Sequence, residues 1–298
     1  MNSPAVHFAR TPTLDIAYES TNDDAANSVV LLHGFPYDVR AFDDVVPLLA
    51  DHGLRVVVPY LRGFGPTRFR NATTPRSGQQ AALGQDLIDL LDALDIERSV
   101  VAGYDWGGRA ACVAAAVFPE RVTGLVSVDS YNIQNIAAAQ EPSTPQEEAT
   151  YWYQYYFQTE RGRRGLERNR EDLCELLWRM WSPTWADAAA AFPLSSRSLH
   201  NPDFVDVVIH SYRHRYGAAA GDPRYQHIED RLAELPTIEV PTIVLEGGAD
   251  GVGSPSTEGD ALMFTGPYDF RLLDVGHNTP QEAPAEFGRA VLDVLTLA

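Results

Sequence analysis

The sequence predicts an α/β fold in which a mostly parallel sheet of eight strands has helices on both faces and carries one all-helical insertion. Two observations support this prediction. Apolar, strand-like segments alternate with helix-like segments over residues 28–128, and the alternation resumes from residue 241 to the end. Between them, residues 131–235 show helical periodicity without a convincing strand. Such βαβ alternation is typical of a parallel sheet buried on both faces.

Each element is predicted from its own pattern. Runs of β-branched and apolar residues indicate strands, and apolar residues spaced three and four apart indicate helices. In chain order these are strands 6–9 and 14–19 as a hairpin, strand 28–32, helix 39–51, strand 54–59, helix 80–94, strand 98–103, helix 106–118, strand 122–128, strand 241–245, strand 270–273 and helix 281–297. We therefore expect a core domain at 1–130 and 239–298 and a helical cap domain at 131–238.

The composition excludes several classes of partner. The 298 residues include 41 acidic and 23 basic ones, a formal charge of -18, and there is no lysine. A strongly acidic chain repels nucleic acid and anionic membranes, so neither is an expected partner. The cysteines, Cys112 and Cys174, are too few for a disulfide scaffold. Without a leader pattern or a membrane-length apolar stretch, the prediction is a cytoplasmic protein.

One turn carries the main chemical signal. Residues 103–108, Gly-Tyr-Asp-Trp-Gly-Gly, join the strand at 98–103 to the following helix. Glycines at these positions permit a strained turn that lifts the central side chain, here Asp105, above the sheet. By itself the motif is equally compatible with Asp105 as a helix N-cap.

Three further loops favour Asp105 as a nucleophile over Asp105 as a helix N-cap. Asp250 follows the strand at 241–245, and His277 follows the last strand, which gives the chain order nucleophile, acid, histidine. Residues 33–36, His-Gly-Phe-Pro, end an earlier strand, so the amides of Phe35 and Trp106 are predicted to form an oxyanion hole. Asp129 is a competing candidate for the acid, although the Gly-x-x-Asp context favours Asp250.

With these motifs the chain resembles the α/β-hydrolase superfamily over essentially its full length, within the aspartate-nucleophile branch of epoxide hydrolases and haloalkane dehalogenases. An aspartate with a pKa near ~3.9 is ionised at pH 7 and can attack an sp3 carbon without activation. The expected product is an ester on Asp105, which water activated by His277 then hydrolyses. Asp250 would orient His277.

The helical insertion contains residues that could protonate or bind the leaving group of the substrate. Residues 153–158 resemble the segment of soluble epoxide hydrolases that carries a ring-opening tyrosine, which matches Tyr153, and residues 211–213 resemble the second such segment, which matches Tyr212. Helical spacing predicts that Tyr212 faces inward. The alternative is that both tyrosines are core aromatics. A second enzyme class, the dehalogenases, would use Trp106 and Trp152 as halide donors, and a ligand receptor on a hydrolase fold is the non-enzyme alternative.

The remaining predictions concern the substrate. We expect the pocket to include His33, Trp152, Tyr156 and Tyr216, with no metal and no cofactor. The expected partners are water and a hydrophobic or aromatic epoxide, because the cap segment is rich in Trp and Tyr and resembles hydrolases of aromatic polyketide pathways in secondary metabolism. The sequence is also compatible with a homodimer.

Overall fold

The described residues form one sheet of nine strands. The structure is a computed structural model that describes residues 5–253 and 258–297. The strands are β1 Val6–Arg10, β2 Leu14–Thr21, β3 Ser28–Leu32, β4 Arg55–Pro59, β5 Arg68–Phe69, β6 Ser99–Gly103, β7 Val122–Val128, β8 Thr242–Gly247 and β9 Tyr268–Leu273. Their spatial order is β1-β2-β4-β3-β6-β7-β8-β9, with β5 paired to β2.

Most of the sheet is parallel, as predicted. Strands β3, β4, β6, β7, β8 and β9 pair in parallel, whereas β1, β2 and β5 form antiparallel pairs. β3 and β6 are buried along their whole length, which matches their runs of valine and leucine. The ninth strand, β5, is absent from the sequence prediction because two residues are too short to show any periodicity.

Helices cover both faces of the sheet. They are α1 Val45–Asp51, α2 Gln80–Ala93, α3 Asp105–Val117, α4 Pro145–Thr150, α5 Trp152–Gln158, α6 Glu160–Arg168, α7 Arg170–Trp181, α8 Ala188–Ser195, α9 Phe204–Arg215, α10 Gln226–Leu232, α11 Glu258–Ala261, α12 Thr279–Glu282 and α13 Pro284–Val294. One layer contains α1 and α13, and another contains α2 and α3, with α3 and α13 both packed on β7. Across the described ranges, none of these helices combines the length and the apolar character that crossing a membrane would require.

Two predicted helices are interrupted, both for reasons of proline chemistry. The helix predicted at 39–51 is a 3-10 turn, Val39–Phe42, followed by α1. Pro47 has no N–H, so it is accommodated in the first turn of α1, where amides lack intrahelical partners. The helix predicted at 281–297 breaks at Ala283, and Pro284 begins α13.

Between β7 and β8 the described chain forms helices α4 to α10 and no strand. Within this segment α5 packs on α9, while α10 packs against α2 and α3. The insertion is thus helical, and the boundary of a separate cap at 131–238 stays a prediction.

The parallel strands place the predicted motifs at one edge of the sheet. Phe35, Asp105, Asp129, Asp250 and His277 lie in the segments that follow the carboxyl ends of β3, β6, β7, β8 and β9. In open α/β sheets this edge is where ligands bind.

The position of α3 depends on close backbone contact with β3. A Cβ atom added at Gly107 would lie 1.9 Å from the carbonyl oxygen of Leu32 and 2.6 Å from that of His33. A side chain at position 107 would therefore push α3, and Asp105 with it, away from the sheet.

We predict that Gly107→Ala lowers the free energy of unfolding by about 3 kcal/mol, because the added methyl group overpacks a backbone contact. Chemical denaturation would measure this. The matched control is Gly288→Ala in α13, where the nearest atom is the flexible Leu48 Cδ1 at 3.3 Å. The control should change stability by less than about 1 kcal/mol. Equal effects of the two substitutions would contradict the account.

Candidate active site

The turn between β6 and α3 holds Asp105 in a strained backbone conformation. Asp105 is the first residue of α3 and has a φ of 50°, in the left-handed region that side chains disfavour. The turn is tight, since a Cβ atom at Gly103 would lie 2.5 Å from the carbonyl group of Gly107. Strain of this kind costs about 1–3 kcal/mol and is found where a side chain must be aimed.

The loop after β3 presents a backbone donor to this carboxylate. The amide of Phe35 donates to Asp105 Oδ1 at 2.6 Å. This approach requires glycine at position 34, because a Cβ atom there would lie 2.5 Å from Cβ of Asp105. Trp106 is the second residue of α3, where backbone amides have no acceptor inside the helix. Both predicted oxyanion-hole residues thus lie beside Asp105.

His277 lies between two carboxylates. Its Nδ1 is 2.7 Å from Asp250 Oδ2, and its Nε2 is 3.9 Å from Asp105 Oδ2. Nε2 is buried and has no hydrogen-bond partner within the described ranges. The ring therefore binds the acid through one nitrogen and presents the other toward Asp105, the order that a nucleophile, base and acid require.

Backbone and side-chain contacts fix both partners of this pair. Asp250 Oδ1 accepts from the amides of Val252 and Gly253, at 2.7 and 2.9 Å. Glu282 holds the loop that carries His277, since its carboxylate accepts from the amides of Gly276 and Asn278, at 2.8 and 3.1 Å.

Asp129, the competing acid, lies 3.5 Å from the same Nδ1 of His277. Its burial and the neighbouring Asp250 raise the pKa of Asp129 well above its ordinary value. Burial opposes ionisation of Asp250 too, but His277 outweighs it and holds the pKa of Asp250 below the usual range. Asp250 is therefore the carboxylate that ionises more readily and the hydrogen-bonded partner of His277.

The same three side chains have the spacing of a metal site, with one ligand atom of each of Asp129, Asp250 and His277 within 4.8 Å of the others. However, the 2.7 Å contact between His277 and Asp250 is an ordinary hydrogen-bond length. This hydrogen bond occupies His277 Nδ1 and Asp250 Oδ2, which are the atoms that would have to bind a cation. A catalytic triad therefore explains the geometry better than a metal site.

The carboxylates decide the charge of His277. Burial lowers the pKa of its imidazole, but Asp250, Asp129 and Asp105 outweigh burial and raise it to about 10. In the resting protein His277 is an imidazolium, compensated mainly by Asp250.

The two candidate tyrosines come together from different helices. Tyr153 of α5 and Tyr212 of α9 are both buried, and their rings lie 5.4 Å apart and nearly perpendicular. Tyr212 also packs 5.6 Å from Phe35 and 6.0 Å from Trp106. Burial raises the pKa of both phenols, so both keep their protons at neutral pH.

Hydrogen bonding leaves the Tyr153 proton available. Gln154 Nε2 donates to Tyr153 Oη at 2.9 Å, and Tyr216 Oη donates to Gln154 Oε1 at 2.9 Å. Because Tyr153 Oη accepts from Gln154, its own O–H can be directed elsewhere. Tyr216 thus contacts Tyr153 indirectly, through a hydrogen bond to Gln154.

The other pocket candidates contact different parts of the structure. His33 is fully buried, with Nε2 accepting from the amide of Leu61 at 3.0 Å, and burial lowers its pKa to about 4. Trp152 packs against Tyr156, whose hydroxyl lies beside Gly165 of α6. None of His33, Trp152 and Tyr156 is among the described residues that line the cavity over Asp105, and their assignment to the substrate pocket stays a prediction.

That cavity has a volume of about 300 Å³ and includes Asp105, His277, Tyr153 and Gln154 in its lining. It shares lining residues with a larger neighbouring cavity of about 870 Å³. A ligand that reaches Asp105 can therefore extend into the larger space.

Three residues of this site were not predicted from the sequence. Trp181 packs 5.2 Å from both the His277 and the Tyr153 rings. Arg109 and Arg215 line both cavities. Helical spacing could have identified the arginines, because Arg109 lies four residues after Asp105, and Arg215 lies three after Tyr212.

Comparisons with known proteins identify the fold family of the chain. A family model described as alpha/beta hydrolase fold matches residues 27–279. Epoxide hydrolase A of Mycobacterium tuberculosis is 26% identical over 324 aligned residues, which cover 99% of this chain and 98% of the relative. A crystal structure from Klebsiella pneumoniae, described provisionally as an epoxide hydrolase, is 44% identical with a TM-score of 0.96, covering 98% of this chain and 97% of that chain. A Pseudomonas aeruginosa structure, with 18% identity, a TM-score of 0.80 and coverage of 99% and 96%, shows the same fold.

We predict that His277 stays protonated well above pH 6.5. Its folded pKa lies above its unfolded value of about 6.5. The stability that it contributes is therefore fully present below pH 6.5 and is lost as the pH rises toward 10. NMR titration of the ring would show this, with the His277 signal assigned by its loss in His277→Gln. Asp250→Asn should lower this pKa toward its ordinary value, and an unchanged pKa would contradict the assignment of Asp250 as the main partner.

Proposed function

Because the chain belongs to the alpha/beta hydrolase fold family, we propose that it is an epoxide hydrolase in which Asp105 is the nucleophile. One observation carries the proposal: the phenols of Tyr153 and Tyr212 pack against each other within reach of the charge of Asp105, and Asp105 faces the Asp250–His277 pair. The Mycobacterium tuberculosis relative and the Klebsiella pneumoniae structure support the same activity.

In the first step, the ionised carboxylate of Asp105 attacks a carbon of the oxirane. The carbon–oxygen bond of the ring breaks, and the departing oxygen takes a proton from Tyr153 or Tyr212. The donors are suitable because a buried phenol remains protonated at neutral pH. The product is a hydroxyalkyl ester of Asp105, with every atom of the epoxide retained.

Before the second step, the imidazolium of His277 gives its proton to the tyrosinate that ring opening has left, so that Nε2 becomes a free base. In the second step, water attacks the carbonyl carbon of the ester, and Nε2 of His277 takes a proton of the water. The amides of Phe35 and Trp106 stabilise the tetrahedral oxyanion. Its collapse breaks the ester bond, and the leaving alkoxide takes the proton of the new carboxyl group. The products are the diol, the carboxylate of Asp105 and the imidazolium of His277, so the enzyme returns to its starting state.

The charge of Asp105 links the two steps. Asp105 is one of three carboxylates that raise the pKa of His277. Ester formation removes that negative charge, which lowers the pKa of His277 when a neutral base is needed. The conversion of Asp105 from carboxylate to ester therefore sets the pKa of His277 for the second step.

The cavities have room for a sizeable substrate, and tyrosine rings form part of their walls. The walls near Asp105 include Tyr131, Tyr151 and Tyr153, and the neighbouring cavity of about 870 Å³ provides further space. We propose an aromatic or other hydrophobic epoxide as the substrate.

We predict that Tyr153→Phe and Tyr212→Phe each lower the kcat for styrene oxide about 10- to 100-fold, because one of two proton donors is lost. The double variant should lose more than either single one. Gas chromatography of the diol would measure turnover. The matched control is Tyr18→Phe on β2, which removes a hydroxyl from a residue that lines neither cavity and should leave kcat unchanged.

Two results would contradict the proposal. One is full activity of the double variant on styrene oxide. The other is bromide release from 1-bromohexane without any turnover of styrene oxide, which would identify the alternative, a dehalogenase.

A further inference from the structure

Two arginines flank the site without taking part in the proposed reaction. Arg109 lies on α3, one helical turn after Asp105, and Arg215 lies on α9, one turn after Tyr212. Both line the cavity over Asp105 and the larger cavity next to it. They therefore lie where a substrate bound at Asp105 would extend from the smaller cavity into the larger one.

Arg109 is a buried cation that forms no salt bridge within the described residues, and the nearby charge of Asp105 compensates it only in part. Its side chain belongs to a residue that is only 7% exposed, and its Nε has no hydrogen-bond partner within residues 5–253 and 258–297. In the same ranges, neither Arg109 nor Arg215 forms any of the salt bridges that engage other arginines of the chain. Burial and the neighbouring Arg215 lower the pKa of Arg109.

One neutral oxygen serves both guanidinium groups. With its amide oxygen turned toward the arginines, Gln134 accepts from Arg215 Nε at 3.2 Å and from Arg109 Nη2 at 3.3 Å. The backbone of Gln134 is held by Gln80, whose Oε1 accepts from its amide at 2.8 Å. Each guanidinium has five N–H donors, so most of this donor capacity is left for a ligand.

Three carboxylates near the arginines have other partners. Asp250 is bound to His277, and Asp105 accepts from Phe35. Glu148, in the wall of the larger cavity, accepts from the amide of Ser143 at 2.7 Å. The site thus separates an acidic side around His277 from a basic side at Arg109 and Arg215.

We propose that Arg109 and Arg215 bind a carboxylate of the substrate, so that the preferred substrates are epoxy acids in which the oxirane and the carboxylate are a few bonds apart. The inference rests on the proposed epoxide hydrolase function and deepens it. Planar guanidinium forks match a carboxylate in shape and charge, and such charge-assisted bonds are among the strongest in proteins.

The geometry also sets the orientation of the substrate. Positions 105 and 109 lie on the same face of α3, with side chains about 5–6 Å apart at Cβ. The carboxylate of an epoxy acid would bind Arg109 while the oxirane carbon faces Asp105, and the remaining substituent would occupy the larger cavity. Fixing one end of a small molecule in this way places the reacting carbon for attack.

The test compares 3-phenylglycidate, an epoxy acid, with 3-phenylglycidol, its neutral counterpart. In the wild-type enzyme we expect kcat/KM to be about 10- to 100-fold higher for the acid, as charge-assisted hydrogen bonds predict. In Arg109→Gln this ratio should fall to about one. The control is Arg179→Gln, which removes a charge from the exposed face of α7 and should leave the ratio unchanged.

Binding of cinnamate, which has the carboxylate but no oxirane, separates this inference from the proposed function. By calorimetry, the wild-type protein should bind cinnamate at least about 10-fold more tightly than cinnamamide, whether or not any epoxide is hydrolysed. Equal affinities, equal kcat/KM for acid and alcohol, or an acid preference that survives in Arg109→Gln would overturn the carboxylate site. Turnover of neither epoxide together with tight cinnamate binding would refute the hydrolase and keep the anion site.

Discussion

The site depends on one backbone constraint, the left-handed conformation of Asp105 at the start of α3. It is imposed from two sides. Behind the turn, Gly103 and Gly107 let α3 lie directly on β6 and β3, and in front of it, Gly34 lets the loop after β3 reach the carboxylate. The result is a carboxylate that cannot move away from the amide of Phe35 and the ring of His277. The packing of α3 on the sheet thus offsets the backbone strain at Asp105, and the strained conformation directs its carboxylate toward Phe35 and His277.

Charge balance is the second constraint. Three carboxylates surround one buried imidazole, and only Asp250 makes a hydrogen bond of 2.7 Å with it. Burial and the neighbouring Asp250 raise the pKa of Asp129, so Asp250 is the carboxylate that ionises more readily beside His277. A carboxylate nucleophile fits this arrangement because it needs no base for its attack. His277 is free to act later, after the charge on Asp105 has been consumed.

The fold and the loop residues were predictable from the sequence because parallel strands end at the same edge of a sheet. That rule brings Asp105, Asp250 and His277 together without knowledge of any contact. The helical insertion offered no such rule. Rotation of a seven-residue helix decides that Tyr153 faces the cavity over Asp105 while Trp152 and Tyr156 lie outside its lining. Likewise, the sequence could not show that both ring nitrogens of His33 form hydrogen bonds to the backbone, one with the carbonyl group of Gly34 and one with the amide of Leu61. Arg109 was predictable in principle, from its place one turn after Asp105.

The central claim, that Asp105 forms an ester with the epoxide, is tested most directly by a single turnover of excess enzyme in 18O-labelled water. The account predicts that the diol carries no label and that the peptide containing Asp105 gains it, because water attacks the carbonyl carbon of the ester. Label in the diol of the first turnover, with none in that peptide, would mean that water opens the oxirane directly. That result would contradict Asp105 as the nucleophile.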